Sequence, residues 1–400
     1  MVNIIGIPLG IVTSMILTNY LGAKLFGDYS YLNGIFTFAM VIFNFGFIHA
    51  ANRALVLNES EEKAKEIYGS SFILLLLLFV IMSVCLIFFG YFDSNIKNKG
   101  LYTVFIYLIP FGLINLLTGY FETLFQADNR MKALVFIRFY PKIGFFLSSL
   151  LIYFLFRNIN LDKLLFVYFF YLLTYIVVYI LALWKIKPSF TNLIYNIKFL
   201  WEHTQNYGFD VYIGSIFAVG LANLATIIIS NYDPSNSNEG VGFFNLALTF
   251  TAPLALIPNI IATTHYKEFA GLQKIPIKLF KTTILLTLGS LIALWGLISP
   301  FINLFYGKEY DATIELTLIL SLGIALHGMA DFFNRYLGAH GKGKMLRNSS
   351  VLVGLSLLIT NFLFIPIWHE KGAVFARLIS GIIYLFTMIY FYYKYMKKEI

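Results

Sequence analysis

Apolar residues in this chain fall in runs of about 20, the length a helix needs to cross the hydrocarbon core of a bilayer. Twelve such runs cover residues 3–22, 30–54, 69–92, 101–126, 133–156, 164–184, 208–230, 241–262, 279–303, 312–336, 349–367 and 373–393. Short polar breaks separate them, among them Asp93-Ser-Asn, Asp128-Asn, Asn158-Ile-Asn, Asp233-Pro-Ser-Asn-Ser-Asn and Gly341-Lys-Gly. These are turn-forming sequences. One stretch differs. In 188–206, Leu193, Ile194, Ile197, Leu200 and Trp201 recur at helical spacing, with Asn196, Lys198 and Glu202 between them. This predicts an amphipathic helix on the inner membrane surface. It divides the chain into an N-terminal six-helix bundle (1–187), the linker helix (188–206) and a C-terminal six-helix bundle (207–400).

Composition agrees. Of the 400 residues, 59% are hydrophobic and 18% aromatic, and only 12% are charged. The mean hydropathy is +0.78. No soluble domain of this size could bury so much apolar surface, so the expected fold is an all-α polytopic membrane protein. The first run lacks a basic leader and is long enough to span, so it reads as a helix rather than a cleaved signal. Lys and Arg are uneven between alternate loops. With the N-terminus in the cytoplasm, 17 lie in inner loops and the tail, 7 in outer loops and 5 within spans, accounting for all 29. That bias places both termini inside and explains the net charge of +9 without nucleic acid. Cys85 is alone, and the six histidines show no metal-ligand spacing, so no disulfide, metal or other cofactor is expected.

The halves look related. Phe121-Glu-Thr-Leu-Phe-Gln-Ala-Asp-Asn-Arg-Met-Lys aligns with Phe333-Asn-Arg-Tyr-Leu-Gly-Ala-His-Gly-Lys-Gly-Lys at an offset of 212, the difference between 333 and 121. A weaker match sets Gly27-Asp-Tyr-Ser against Gly242-Phe-Phe-Asn. Both halves start on the same side, so the repeat is parallel, with its axis along the membrane normal. Two such bundles facing each other would leave a cavity that opens alternately to either side.

Charges inside spans are costly and therefore informative. Arg138 and Lys142 share one face of the fifth span. Lys142 sits about nine residues in, or roughly 14 Å deep, with Pro141 beside it to open the helix. The repeat-equivalent positions hold Ser350 and Gly354, which assigns a cationic site to the first half alone. Arg53 ends the second span at the inner face, as an anchor or a first contact for an entering anion. Arg377 lies a turn into the last span. His327, Asp331 and Arg335 form a polar stripe on the tenth, read either as a self-neutralising Asp331–Arg335 pair or as a cavity wall where Asp331 or His327 takes a proton. Glu122 and Asp210 are further candidates, to pair with Arg138 or to carry a coupling ion. The abundant Tyr and Phe fit packing and interface belts, and no individual tyrosine stands out as a sugar platform.

Leu21-Gly-Ala-Lys-Leu-Phe-Gly with Tyr29, Phe125-Gln-Ala-Asp-Asn-Arg-Met-Lys, Leu337-Gly-Ala-His-Gly-Lys-Gly-Lys and the turn from Ile365-Pro to Lys371-Gly-Ala-Val-Phe-Ala, taken in order, resemble the O-antigen (lipid-linked oligosaccharide) flippases. These are polysaccharide transporters of the multidrug/oligosaccharidyl-lipid/polysaccharide superfamily. The resemblance implies a 12-helix protein of the bacterial inner membrane. It would carry an undecaprenyl-pyrophosphate-linked oligosaccharide from the cytoplasmic to the periplasmic leaflet. We expect a monomer among membrane lipids, working beside a polysaccharide polymerase and glycosyltransferases, and not an enzyme. Arg138, Lys142, Arg53 and Arg335 are the expected pyrophosphate and glycan contacts. Asp331, Glu122, Asp210 and His327 are the expected coupling groups. A multidrug-extrusion cation antiporter shares the architecture, but calls for deep acidic residues where this chain has Lys142. A polymerase or O-acyltransferase calls for a long outer loop or a catalytic grouping that the sequence lacks.

Overall fold

A computed structural model of the chain describes residues 2–58, 60–156, 162–233 and 237–397, with side chains except those of 2–5, Asp210 and Ala218. The described residues form helices and no strands. The first helices are α1 (Val2–Phe43), α2 (Phe47–Val56), α3 (Glu61–Phe92), α4 (Ser94–Asn98), α5 (Tyr102–Tyr107), α6 (Ile109–Ala127), α7 (Met131–Leu155) and α8 (Lys163–Ile186). Then come α9 (Leu193–His203), α10 (Phe209–Ser215), α11 (Leu221–Tyr232), α12 (Glu239–Thr264) and α13 (Tyr266–Gly271). The last three are α14 (Ile277–Phe305), α15 (Ala312–Ala339) and α16 (Gly343–Met396).

Two helices are too long to be single spans. At 1.5 Å per residue, the 54 residues of α16 would reach about 80 Å. His369 breaks it at φ 51°, ψ −128°. Val353, before the break, and Tyr384 and Met388, after it, lie in one buried cluster with Phe332, Phe333 and Tyr336 of α15. Both arms therefore run along α15. Likewise Gly22 (φ 74°, ψ 169°) divides the 42 residues of α1. Among the described residues, eight helices are long and apolar enough to cross a membrane. Counting α1 and α16 twice gives ten. The α5–α6 pair and the segmented stretch through α10 and α11 complete the twelve expected spans.

Inside the spans, several hydroxyls satisfy themselves. Thr13 donates to the Leu9 carbonyl (2.7 Å), Ser83 to Phe79 (2.7 Å), Thr251 to Ala247 (2.8 Å) and Thr317 to Thr313 (2.7 Å). Each is one turn back on its own helix, so the group needs no outside partner in lipid. Apolar faces turn outward instead. On α14, Leu285, Ile292 and Leu304 are exposed while Thr283 and Thr287 are buried.

The chain resolves into two compact units, Met1–Leu25 with Leu32–Asn223 and Phe26–Tyr31 with Leu224–Ile400. The divide thus falls at 223/224, and the linker 188–206 sits within the first unit. The Ser189 N–H donates to the Lys65 carbonyl at 2.9 Å. The seventh span is not a simple helix. π-helical turns at Thr204–Gly208 and Ile216–Gly220 interrupt it.

Within each unit the repeated motif builds the same turn. Arg130 N–H donates to Phe125 O (2.9 Å) and Lys342 N–H to Leu337 O (3.0 Å). Asn129 N–H reaches Gln126 O and Gly341 N–H reaches Gly338 O. Asn129 (φ 53°) and Gly341 (φ 68°) both take the left-handed conformation that closes a helix end. All these pairs are related by the offset of 212. In the second unit, the shorter motif marks a close crossing. A Cβ on Gly27 would fall 2.1 Å from the Asn238 carbonyl oxygen, and one on Gly242 would lie 3.1 Å from the Gly27 Cα. Buried Asp28 accepts from the Asn238 amide at 2.8 Å.

The paired turns give a test. Nothing lies within 4 Å of a Cβ added to Gly341, so Gly341→Ala meets only backbone strain. It should cost about 1 kcal/mol, while Asn129→Gly should be neutral or slightly stabilising. Unfolding midpoints of the detergent-solubilised variants check both signs.

Candidate functional site

In the first unit, α7 carries Arg138 and Lys142 one turn apart. Pro141 between them lacks an N–H, so the Ile137 carbonyl loses its intrahelical donor. The Arg138 Nη2 donates to Glu122 Oε2 on α6 at 2.9 Å, and both side chains stay about one-third exposed, 33% and 35%. Of the partners considered for Glu122, Arg138 is the one it meets. The pair is open enough to be reached, and a guanidinium has five donors, so donors remain for an added anion. Lys142 is exposed and forms no ion pair among the described residues. Its ammonium lies 3.6 Å from where a Cβ on Gly6 of α1 would be. The deepest charge anticipated on this helix is therefore a cation without a neutralising carboxylate.

Aromatic groups that single-residue reasoning did not pick out stand beside this pair. On α8, Tyr171, Tyr175 and Tyr179 recur every fourth residue. Tyr171 and Tyr175 stack with centroids 4.3 Å apart and planes at 14°. Tyr175 is within electrostatic reach of Glu122. The Tyr179 hydroxyl bonds Thr118, one turn before Glu122, at 2.5 Å. The signal was in the sequence, as a period-four tyrosine row in a span rich in aromatic residues. Arg53, at the end of α2, is exposed, with its guanidinium 4.7 Å above the Tyr207 ring. Asn52 beside it donates to the Thr123 carbonyl of α6 at 2.9 Å.

In the second unit the polar stripe of α15 meets the second arm of α16. The Tyr384 hydroxyl donates to Asp331 Oδ1 at 2.8 Å and accepts from the Asn334 amide at 2.9 Å. The His327 ring packs on that of Tyr384, with centroids 4.6 Å apart. Asp331 and Arg377 are charges within electrostatic reach of His327. The Asp331–Arg335 pair weighed from their spacing does not form. Tyr384 supplies the carboxylate with a short-reach donor, and Arg335, a turn further on, is exposed. The Asp210 side chain lies outside those described.

The turn motif itself has a structural part. Arg130 and Asp128 form an ion pair, and the Tyr68 hydroxyl donates to Asp128 at 3.1 Å, tying the α6–α7 turn to α3. Among the described residues no cluster of three or more His, Cys, Asp or Glu could hold a metal.

Comparison with known proteins bears on this arrangement. No curated protein matches the chain. Among solved structures, the lipid II flippase MurJ in an inward closed conformation superposes with a TM-score of 0.81 at 17% identity, over 97% of this chain and 86% of that one. An inward-facing multidrug resistance MATE family transporter of the MOP superfamily gives 0.71 at 12% identity, over 98% and 96%. The MATE multidrug transporter DinF-BH in complex with R6G gives 0.62 at 13%, over 97% and 91%. At these identities the likeness is one of fold. The family described as polysaccharide biosynthesis protein matches residues 1–266. That is more than half of the 400 residues, and the chain therefore belongs to the polysaccharide biosynthesis protein family.

Proposed function

We propose that this protein is a flippase. Its substrate is an undecaprenyl-pyrophosphate-linked oligosaccharide, an O-antigen or similar repeat unit, which it moves from the cytoplasmic to the periplasmic leaflet of a bacterial inner membrane by alternating access. The observation that carries this reading is Lys142, an intramembrane cation with no ion-pair partner among the described residues, on the same helix face as Arg138. The physical problem of such a substrate is a headgroup bearing about two negative charges that must cross hydrocarbon while its lipid tail stays in it. Lys142 supplies a point charge, and Arg138 a planar fork that exchanges part of its contact with Glu122 for phosphate oxygens. The stacked Tyr171 and Tyr175 offer apolar ring faces to sugar. Family membership points to the same class of substrate. A multidrug transporter shares the fold, but a deep unpaired cation repels the organic cations such a protein would carry.

Asp331, hydrogen-bonded to Tyr384 with His327 against the same ring, is the proposed coupling group. A carboxylate held by a neutral hydroxyl can be protonated without breaking an ion pair, so its proton can come and go as the site changes exposure.

Three experiments test these statements. A charge-assisted contact contributes roughly 1.5–3 kcal/mol, so Lys142→Ala should weaken substrate binding about tenfold or more and cut flipping at matched expression. Lys142→Arg should keep more activity, and complementation of a flippase-deficient strain reads both. Full activity of the Arg138→Ala, Lys142→Ala double variant would reject the site. For coupling, flipping in vesicles should respond to an imposed proton gradient, and Asp331→Asn should remove the response. Equal rates under proton and sodium gradients and none would leave transport uncoupled. For topology, in a Cys85→Ser background, an impermeant thiol reagent should label Lys308→Cys from outside and Lys342→Cys only from inside. Labelling of both from one side would overturn the orientation.

A further inference from the structure

The amphipathic linker α9 turns a mixed side to the bundle. It buries Leu200 together with the amide of Asn196, and leaves the apolar Ile194 and Tyr195 exposed. The cause is a polar clamp on α3. Glu66 accepts from Lys63 (3.0 Å), Thr191 (2.9 Å), Asn192 (3.3 Å) and Asn196 (3.2 Å). Lys63 also donates to Asn196 Oδ1 at 2.6 Å. With Asn196 clamped and Leu200 buried, the side of α9 that carries Ile194, Tyr195 and Trp201 faces outward.

What it presents has a definite chemistry. Phe190, Ile194, Tyr195 and Trp201 are exposed, and so is Trp184 at the end of α8. On α8 itself, Leu173, Ile176 and Ile180 are exposed as well. Lys185, Lys187 and Lys198 border the exposed strip and are exposed too; Glu202 on α9 and Glu61 and Glu62 at the start of α3 are exposed carboxylates, and Glu61 is paired with Lys65. An exposed apolar strip at the end of an apolar span, edged by cations and containing two tryptophans, fits the boundary between acyl chains and phosphates.

We infer that the 184–201 surface is a docking site for anionic phospholipid headgroups. The aromatic and aliphatic side chains enter the acyl boundary, and Lys185, Lys187 and Lys198 engage lipid phosphates. The clamp at Glu66 fixes the depth of α9 against α3, so headgroup binding acts on the first unit as a rigid anchor. With the termini in the cytoplasm, as proposed above, the lipids are those of the inner leaflet. The site needs no transported substrate, and its test uses none.

The full-length protein with Cys85→Ser and Ile194→Cys, carrying an environment-sensitive fluorophore at 194, is placed in nanodiscs. The lipid is phosphatidylcholine alone, or phosphatidylcholine and phosphatidylglycerol in equal parts. Acrylamide, an uncharged quencher, reports shielding without bias from surface charge. Each lysine near an anionic surface strengthens association by about fivefold. Shielding should therefore be greater in the mixed bilayer, fall with added salt, and drop to the phosphatidylcholine level in the Lys185→Gln, Lys187→Gln, Lys198→Gln variant. Shielding that ignores anionic lipid, salt and the three lysines would overturn the proposal and leave apolar insertion alone. Shielding that persists in detergent and rises with protein concentration would instead assign the surface to a second copy of this chain. Because the readout is binding, a failure here leaves the Lys142 site standing, and a failure of flipping leaves this one.

Discussion

Hydrocarbon offers no hydrogen-bond partner, so every polar group placed in it must find one within the protein. The rest of this structure follows from that requirement. It makes the spans helical, because a helix satisfies its own backbone. It sends hydroxyls back to carbonyls one turn earlier, as in Thr251 and Thr317. It also sorts the remaining polar side chains by what they meet. Asp331 has Tyr384, Arg138 has Glu122, and the tyrosine hydroxyl of Tyr179 has Thr118. Lys142, like Arg335 on α15, has no carboxylate partner among the described residues.

The two kinds of partner serve different ends. A buried or half-buried ion pair recovers part of the desolvation cost of two charges. It holds Arg138 of α7 against Glu122 of α6. A hydroxyl-to-carboxylate contact is weaker and leaves the charge in place, so it suits a group whose protonation state changes. The polar clamp of α9 is a third case. There Glu66 gathers four donors at the rim of the bundle, and the consequence is mechanical, since it orients a helix rather than preparing a site.

Much of this was legible in the residues, for reasons that can be named. Apolar runs mark spans because length and composition are set by the bilayer. The turn at 124–130 and its copy at 336–342 were legible because a left-handed helix end demands Asn or Gly, and Asn129 and Gly341 sit at corresponding places. Glu122 was a candidate partner of Arg138, and they pair. Other features were hidden because they depend on distant packing. Tyr384 lies 53 residues from Asp331, and no local pattern announces that contact. The divide at 223/224 falls inside an apolar run whose composition does not change there. The break at His369 puts a non-glycine residue at positive φ, which composition does not foretell.

The repeat shows where scaffold ends and chemistry begins. Applying the same offset of 212, Arg138 and Lys142 correspond to Ser350 and Gly354, while Asp331 corresponds to Gly119 and His327 to Asn115. The backbone turns and their basic residues, Arg130 and Lys132 opposite Lys342 and Lys344, recur in both copies, and these charges within the spans do not. One correspondence is informative, because Glu122 falls opposite Asn334. Each makes an interhelical polar contact of its unit, Glu122 to Arg138 and Asn334 to Tyr384. The position demands a polar bridge between helices in either copy, and the residue there follows the charge of what it bridges. A cation on α7 calls for a carboxylate. A tyrosine already donating to Asp331 calls for an amide, since a second carboxylate would compete with Asp331 for the same hydroxyl proton. The two units thus use a common framework to hold a basic group in one and an acidic group in the other.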